Sequence, residues 1–322
     1  MEHLAVGENK TKRWVRRNLL YLSLLIIIGI LVTIFTLANT RFLSFNNVMN
    51  ITRQTCVISI VAIGMTFIII VQGIDLSVGS NIAFGGAIGV VVMNLTGNPY
   101  VGMIATILSC CAIGLLNGVV IGRININPLI MTLGTMCIAR GLALGILNAV
   151  SINVTDNPFD WLGQSQLGPI PVVGIFLVAS YIIFHLILSG TSYGLKVYAV
   201  GGNRLTARAL GINANLVTMG AYILTGLLVG IGSIITVGRL ASAQPWAGLG
   251  LEFDVITAVI IGGTSLRGGE GNILGTLLGG IIIGVLTNGL AFTDLSPFSL
   301  HVFRGFMIVA IVFIDNIMHR ER

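Results

Sequence analysis

Apolar residues run through this chain in long blocks, separated by short polar or glycine-rich stretches. Crossing the hydrocarbon of a bilayer takes about 20 consecutive apolar residues. Blocks of that kind fall at 19–38, 48–72, 81–95, 100–121, 129–150, 172–189, 216–238, 254–263, 272–292 and 301–318. The pattern predicts an all-α fold, a polytopic transmembrane helical bundle of about ten spans. The third and eighth blocks are short for a full crossing, and the third reads as broken or re-entrant. Residues 1–18 form a basic N-terminal segment, 19–318 the transmembrane domain and 319–322 a short tail. The first block is long for a signal-peptide core and has no small-residue cleavage site, so it reads as a retained span.

Composition agrees with the blocks. Charged residues are 9% of the 322, against about 25% in soluble domains. The chain is therefore an integral membrane protein surrounded by lipid. Its net charge of +6 records topology rather than nucleic-acid binding, because no basic stripe is interleaved with aromatics. Lys10, Lys12, Arg13, Arg16, Arg17, Arg123, Lys196, Arg204, Arg208, Arg267, Arg320 and Arg322 fall on one side of a ten-span arrangement. Only Arg41, Arg53 and Arg239 fall on the other, while Arg140 and Arg304 lie within spans. The positive-inside rule then places both termini and the 190–215 loop in the cytoplasm. The loop 151–171, which holds Asp156 and Asp160 but no Lys or Arg, falls outside.

Glycines recur four apart inside the blocks, as in Gly85/Gly89, Gly114/Gly118/Gly122, Gly141/Gly145, Gly226/Gly230 and Gly275/Gly279. Small residues at this spacing let helix backbones approach closely in lipid, so these pairs are expected to pack the bundle. The halves also echo each other. GIDLSVGSNIAFGGAIGVVV resembles GTSLRGGEGNILGTLLGGIII, a polar turn leading through Asn-Ile into a glycine-rich span. Such interrupted, corresponding segments mark pseudo-repeated halves and point to a transporter with its path between them.

The chemistry is defined as much by what is missing. No G-x-x-x-x-G-K-[ST] loop is present, so any ATP is hydrolysed by a partner. There is no G-x-S-x-G elbow, no H-E-x-x-H helix and no metal-ligand spacing among Cys, His, Asp and Glu; catalytic residues, metal and cofactor are all expected to be absent. Cys56, Cys110, Cys111 and Cys137 lie in apolar runs and read as small core residues. Ionisable groups inside spans are functional candidates by default. Here they are Arg140, His185, His301, Arg304 and, in the break after the second block, Asp75. Asp75 reads either as a turn or capping residue before Ser77 or as a pathway residue, and Arg140 either as a structural partner of carbonyls or as pathway lining. Acidic or His relays suited to ion coupling are otherwise lacking. Neutral polar groups of the second half, Gln244, Thr264, Ser265, Asn272 and Asn288 with Trp246, suit a hydroxyl-rich solute, although each also fits helix–helix hydrogen bonding or interfacial anchoring. With Asp75, Ser77 and Asn81, the residues Gln244, Thr264, Ser265 and Asn288 form the candidate translocation path.

Four stretches carry a family resemblance: FLSFNNVMNITRQ with AIGMTFIIIVQGIDLSVGS; NPLIMTLGTMCIARG; YAVGGNRLTARALGIN; and RLASAQPWAGLGLEFDVITAVIIGGTSLRGGEGNILGTLLGGIIIGVLTNGL. The chain resembles the permease subunits of bacterial ABC sugar importers of the ribose/xylose/arabinose/galactoside type, nearest to ribose permeases, from about residue 42 onward. The resemblance implies a type II importer-like permease of the bacterial inner membrane. It implies a second permease copy, two ABC ATP-binding subunits docked beneath and a periplasmic sugar-binding protein above. It also implies a coupling helix in the 190–215 loop, at 203–211, with Asn203, Arg204, Arg208, Ala209, Gly211 and Ile212 as contact residues. One departure is Pro245-Trp246, where a less bulky residue commonly follows the proline. The loop's own pattern agrees: Arg204 and Arg208 are four apart and share a helix face, with Gly201-Gly202 and Gly211 expected to delimit the helix. A solvated positive-inside loop would show the same charges. A self-sufficient, ion-coupled secondary transporter is the competing class.

Overall fold

A computed structural model of the chain describes residues 10–154 and 158–292, together with Val302, Gly305, Phe306 and Val309. Helix α1 (Lys10–Ala38) is followed by a 3-10 turn at Thr40–Leu43 and then α2 (Phe45–Ile70), α3 (Val78–Thr96) and α4 (Pro99–Val119). A π-helical turn, Val120–Ile124, extends α4, and α5 (Pro128–Ile146) follows. Next come strand β1 (Ile152–Asn153), α6 (Pro158–Gln164), β2 (Gln166–Leu167), β3 (Ile170–Pro171) and α7 (Val172–Gly190). The rest is α8 (Ser192–Gly202), α9 (Arg204–Ala209), α10 (Ala214–Leu240), β4 (Ser242–Ala243), α11 (Leu251–Ile261) and α12 (Ile273–Ala291).

Local sequence sets the boundaries. Asn98 and Asn127 cap α4 and α5, accepting from Tyr100 N and Leu129 N, and each is followed by a proline at the first helical position, where the missing N–H costs nothing. Gly97, with φ of 66°, makes the turn between α3 and α4.

Among the described residues, 8 helices are long and apolar enough to cross a membrane, where about ten spans were expected. The eighth expected span is α11, whose 11 residues reach about 16 Å at 1.5 Å per residue, about half of a 30 Å hydrocarbon layer. The tenth, 301–318, lies outside the described residues apart from four positions. The third is longer than the apolar block indicated, at 19 residues, because the helix begins in the polar Ser77–Ser80 stretch.

Helix α2 is the axis of the bundle, with Ile60, Ile63, Met65, Phe67, Ile68, Ile69 and Ile70 all fully buried. It is flanked by α10 and α12. Glycine brings α4 and α10 together as antiparallel neighbours. A Cβ added at Gly114 would lie 2.5 Å from Tyr222 O, at Gly118 2.9 Å from Met219 O, at Gly226 2.7 Å from Cys110 O and at Gly230 2.8 Å from Ile107 Cα. Polar side chains mark the α2–α12 seam. Asn47 and Asn288 exchange amide hydrogen bonds at 2.9 and 3.1 Å, and the hydroxyls of Thr66 and Thr276 meet at 2.8 Å. Gly141 and Gly145 depart from the expected packing: among the described residues, no neighbouring element comes within 4 Å of an added Cβ.

Two interruptions give the bundle its interior. At one end, residues 71–77 leave α2 and turn back. Asn117 Nδ2 donates to Ser77 Oγ at 3.1 Å, which sets the start of α3 about 10 Å inside the end of the π-extended α4 at 1.5 Å per residue. At the other end, β4 pairs antiparallel with β1, Ile152 opposite Ala243, and residues 244–250 descend into the bundle. There Gly248 packs backbone to backbone on Gly79, in the first turn of α3. Helices α3 and α11 therefore start beside each other inside the protein and run to opposite ends. The two echoing turns, after α2 and after α11, lie at the same end and touch: Gly269 N donates to Ile70 O, and Gln72 Nε2 donates to Arg267 O, both at 2.9 Å.

Candidate functional site

The polar 190–215 loop folds into two short helices at the end of the bundle where α2 terminates. Thr191 caps α8, accepting from Gly194 N. Asn203 caps α9, its Oδ1 accepting from Thr206 N at 2.9 Å. Gly201 and Gly202 do not break the chain, as the spacing had led us to expect; they form the last turn of α8, and Asn203 makes the break. Gly201 is needed for proximity, since a Cβ there would run into Ile70 O and lie 2.6 Å from Gly269 N. Gln72 takes a left-handed φ of 64°, and its amide bridges Gly201 O and Arg267 O. Tyr198 Oη donates to Gly271 O at 2.8 Å. The α8 helix is thus fixed to both echoing turns.

Helix α9 spans Arg204–Ala209, inside the expected 203–211. Arg204 and Arg208 share a face, and both donate to Asn215 Oδ1, at 3.1 and 2.7 Å. Arg204 also reaches Gly122 O at 3.4 Å, tying α9 to the end of α4. Burial of its guanidinium, and then the positive Arg208 beside it, hold Arg204 below the usual arginine range. Ala209 ends the helix exposed. Gly211 follows with φ of 81°, its N–H donating to Arg208 O, while Ile212 N donates to Ala207 O. Ile212 then packs on the core. Between the arginines and glycines, Leu195, Leu205 and Leu210 stand more than 70% exposed. A basic rim with protruding leucines is the composition of a surface that docks on protein.

The candidate path residues fall in four places. Asp75, Ser77 and Asn81 come together at the start of α3. The buried Asp75 Oδ1 accepts from Ser77 N at 2.8 Å and Ser77 Oγ at 2.6 Å, and Asn81 Nδ2 donates to Cys110 O at 3.2 Å. Ser77 rather than Asp75 occupies the cap position of α3, and Asp75 closes the turn that leads into it. Gln244 lies on the descending segment, its Nε2 on Ser242 Oγ at 3.0 Å. Thr264 and Ser265 belong to the turn after α11, where Ser265 N donates to Glu270 O. Asn288 is engaged by Asn47 in the α2–α12 seam.

One residue of consequence was not in the sequence-derived set, and a second, Arg140, was, with carbonyl partnership as one of its two readings. Asn215 joins the arginines of α9, and nothing in its surroundings in the sequence marks it. Arg140 Nη1 donates to Pro245 O at 2.6 Å and Ala247 O at 2.9 Å. Its signal was visible, a charge inside an apolar block, but its partners lie more than 100 positions away. No group of three or more potential metal ligands occurs among the described residues.

Residues 47–312 match the family of the branched-chain amino acid transport system permease component. The chain belongs to this family. The permease is 39% identical to the ribose import permease protein of Escherichia coli K12 over 315 residues, 95% of each chain. It is 39% identical to the ribose import permease protein of Bacillus subtilis 168 over 291 residues, 89% of this chain and 90% of that one. Identity to the L-arabinose transport system permease protein of E. coli K12 is 34% over 300 residues, 93% and 92% of the two chains. The permease is a multi-pass membrane component of the branched-chain and sugar ABC importers, and is not itself an enzyme. Membership in this family implies an ATPase and a binding protein as partners.

Proposed function

We propose that the permease forms the translocation path for ribose or a closely similar monosaccharide, driven by an ATPase docked on α9 and fed by a periplasmic sugar-binding protein. The observation that carries this reading is the likeness to ribose import permeases over nearly the whole chain. The exposed surface of α8 and α9 supports the docking role of Asn203, Arg204, Arg208, Ala209 and Gly211, with Ile212 anchoring them to the core. The charge distribution supports a cytoplasmic position for both termini and for α9, in the inner membrane of a bacterium. Two copies assemble with the path between them, and the inward-turned segments before α3 and α11 border it, as in transporters whose broken helices meet at mid-membrane.

The test is uptake of labelled ribose by vesicles holding the permease, with and without the ATPase and binding protein. We expect accumulation only when both partners and ATP are present. Gradient-driven uptake by the permease alone would overturn the reading.

A further inference from the structure

We propose that Trp246 is a specificity-determining wall of the sugar path and that Arg140 positions it; this rests on the monosaccharide-transport reading above. Residues 244–250 are irregular backbone inside the bundle, with Gly248 lodged against Gly79. Irregular backbone at membrane depth is stable only where it is covered by protein or lines a water-filled cavity. Pro245 and Gly250 are buried, yet Trp246 between them is 57% exposed. Leu249 on the same segment is exposed as well, at 55%, and we take this open side, where the indole stands, as the side that borders the path.

The segment is built to keep it there. A single nitrogen of Arg140 holds the carbonyls of Pro245 and Ala247, the residues on either side of Trp246. Ala247 N donates to Gln244 O at 3.1 Å and Leu249 N to Trp246 O at 3.3 Å, closing a turn around it. The β4 pairing with β1 fixes the stretch before it. Arg140 comes from α5, so the clasp joins a separate helix to the descending chain.

The chemistry suits a sugar. A pyranose or furanose ring has apolar C–H faces and a polar edge, and an indole offers a flat apolar face with negative potential to a C–H surface. Gln244 supplies a hydrogen-bonding group two residues away. A path needs a surface that attracts its solute weakly enough to release it, and a flat aromatic face with few polar neighbours provides that.

The experiment is initial-rate ribose uptake by vesicles holding permease, ATPase and binding protein, with co-purified ATPase subunit as the measure of correct assembly. Trp246→Leu, which keeps apolar bulk but removes the ring, should slow uptake at least tenfold, and Trp246→Phe should stay within threefold of the wild type. Arg140→Gln should match Trp246→Leu, and combining the two should be no worse than either alone, since both remove the same element. If the Leu variant fails to assemble, Trp246→Met takes its place with the same expected loss. Wild-type speed in the Leu or Met variant, or a Phe variant as slow as they are, would overturn the role of Trp246. Multiplicative losses in the double variant would overturn the positioning role of Arg140. Wild-type vesicles that accumulate no ribose would overturn the transport reading and this inference together.

Discussion

Helices α4 and α5 both carry glycines on one face, and the structure uses them in opposite ways. On α4, Gly114 and Gly118 admit the backbone of α10 so closely that a single methyl group would collide with a carbonyl oxygen. On α5, Gly134, Gly141 and Gly145 have no neighbouring element among the described residues within 4 Å of an added Cβ, and Ile130, Ile138 and Leu142 beside them are exposed. The same residue at similar spacing is a seam in one helix and a bare face in the next. Spacing encodes the capacity for close approach in lipid; whether a neighbour from the same chain fills the place depends on the arrangement of the other helices. A face left bare among the described residues is available to the second copy proposed above.

Substitution can break this contrast. The largest effect is expected at Gly226→Val on α10, where the added carbons meet Cys110 O and Cys111 Cα, neither of which can move without moving the helix. Overpacking of this kind costs about 1–3 kcal/mol or more. The thermal midpoint of the detergent-solubilised protein should fall clearly or folded protein be lost, and an unchanged midpoint would remove the distinction between the helices. A smaller, local effect is expected at Gly211→Val. The site is open, but its left-handed φ costs a side-chain-bearing residue about 1–2 kcal/mol, and the strain falls on the segment after α9. Insertion and folding should persist while sugar moved per ATP hydrolysed drops several-fold; unaltered coupling would count against α9 as the docking element. The smallest effect is expected at Gly141→Leu. Folding stability should stay within about 0.5 kcal/mol of the wild type, as at surface positions generally. A large drop in the midpoint would show that the face is not bare, whereas a loss of self-association without such a drop would locate its neighbour in a second copy.

Much of the fold was legible because a lipid environment leaves few solutions: an apolar block of about 20 residues must be a helix. The breaks were legible too, since GIDLSVGS and RLASAQPWAGLGLEF interrupt apolar runs with glycine, proline and polar groups. What the pattern did not contain was depth. The turn after α10 looks like a surface loop in sequence, and its descent to Gly79 depends on two glycines meeting backbone to backbone across 169 positions. The extra helix α8 was hidden because SYGLKVYAVGG ends in two glycines, which mark a break in most contexts; here one of them exists to admit Ile70. For the candidate site, i,i+4 spacing correctly placed Arg204 and Arg208 on one face, while Asn215, which they share, had no local signature. The path residues scatter because each was chosen for its own polarity. Asn288 is polar for the sake of Asn47, a partner 241 positions distant, and no local pattern reports such a pairing.

The contact of Gly201 with Ile70 and Gly269, bridged by Gln72, has a mechanical meaning. A short helix held at one point swings freely; one riveted at its end to two other segments acts as a lever with a fixed fulcrum. Force applied to α8 at its exposed Leu195 is divided at that rivet between the turn leading to α3 and the turn leading to α12. A push on α8 thus arrives in both echoing turns at once.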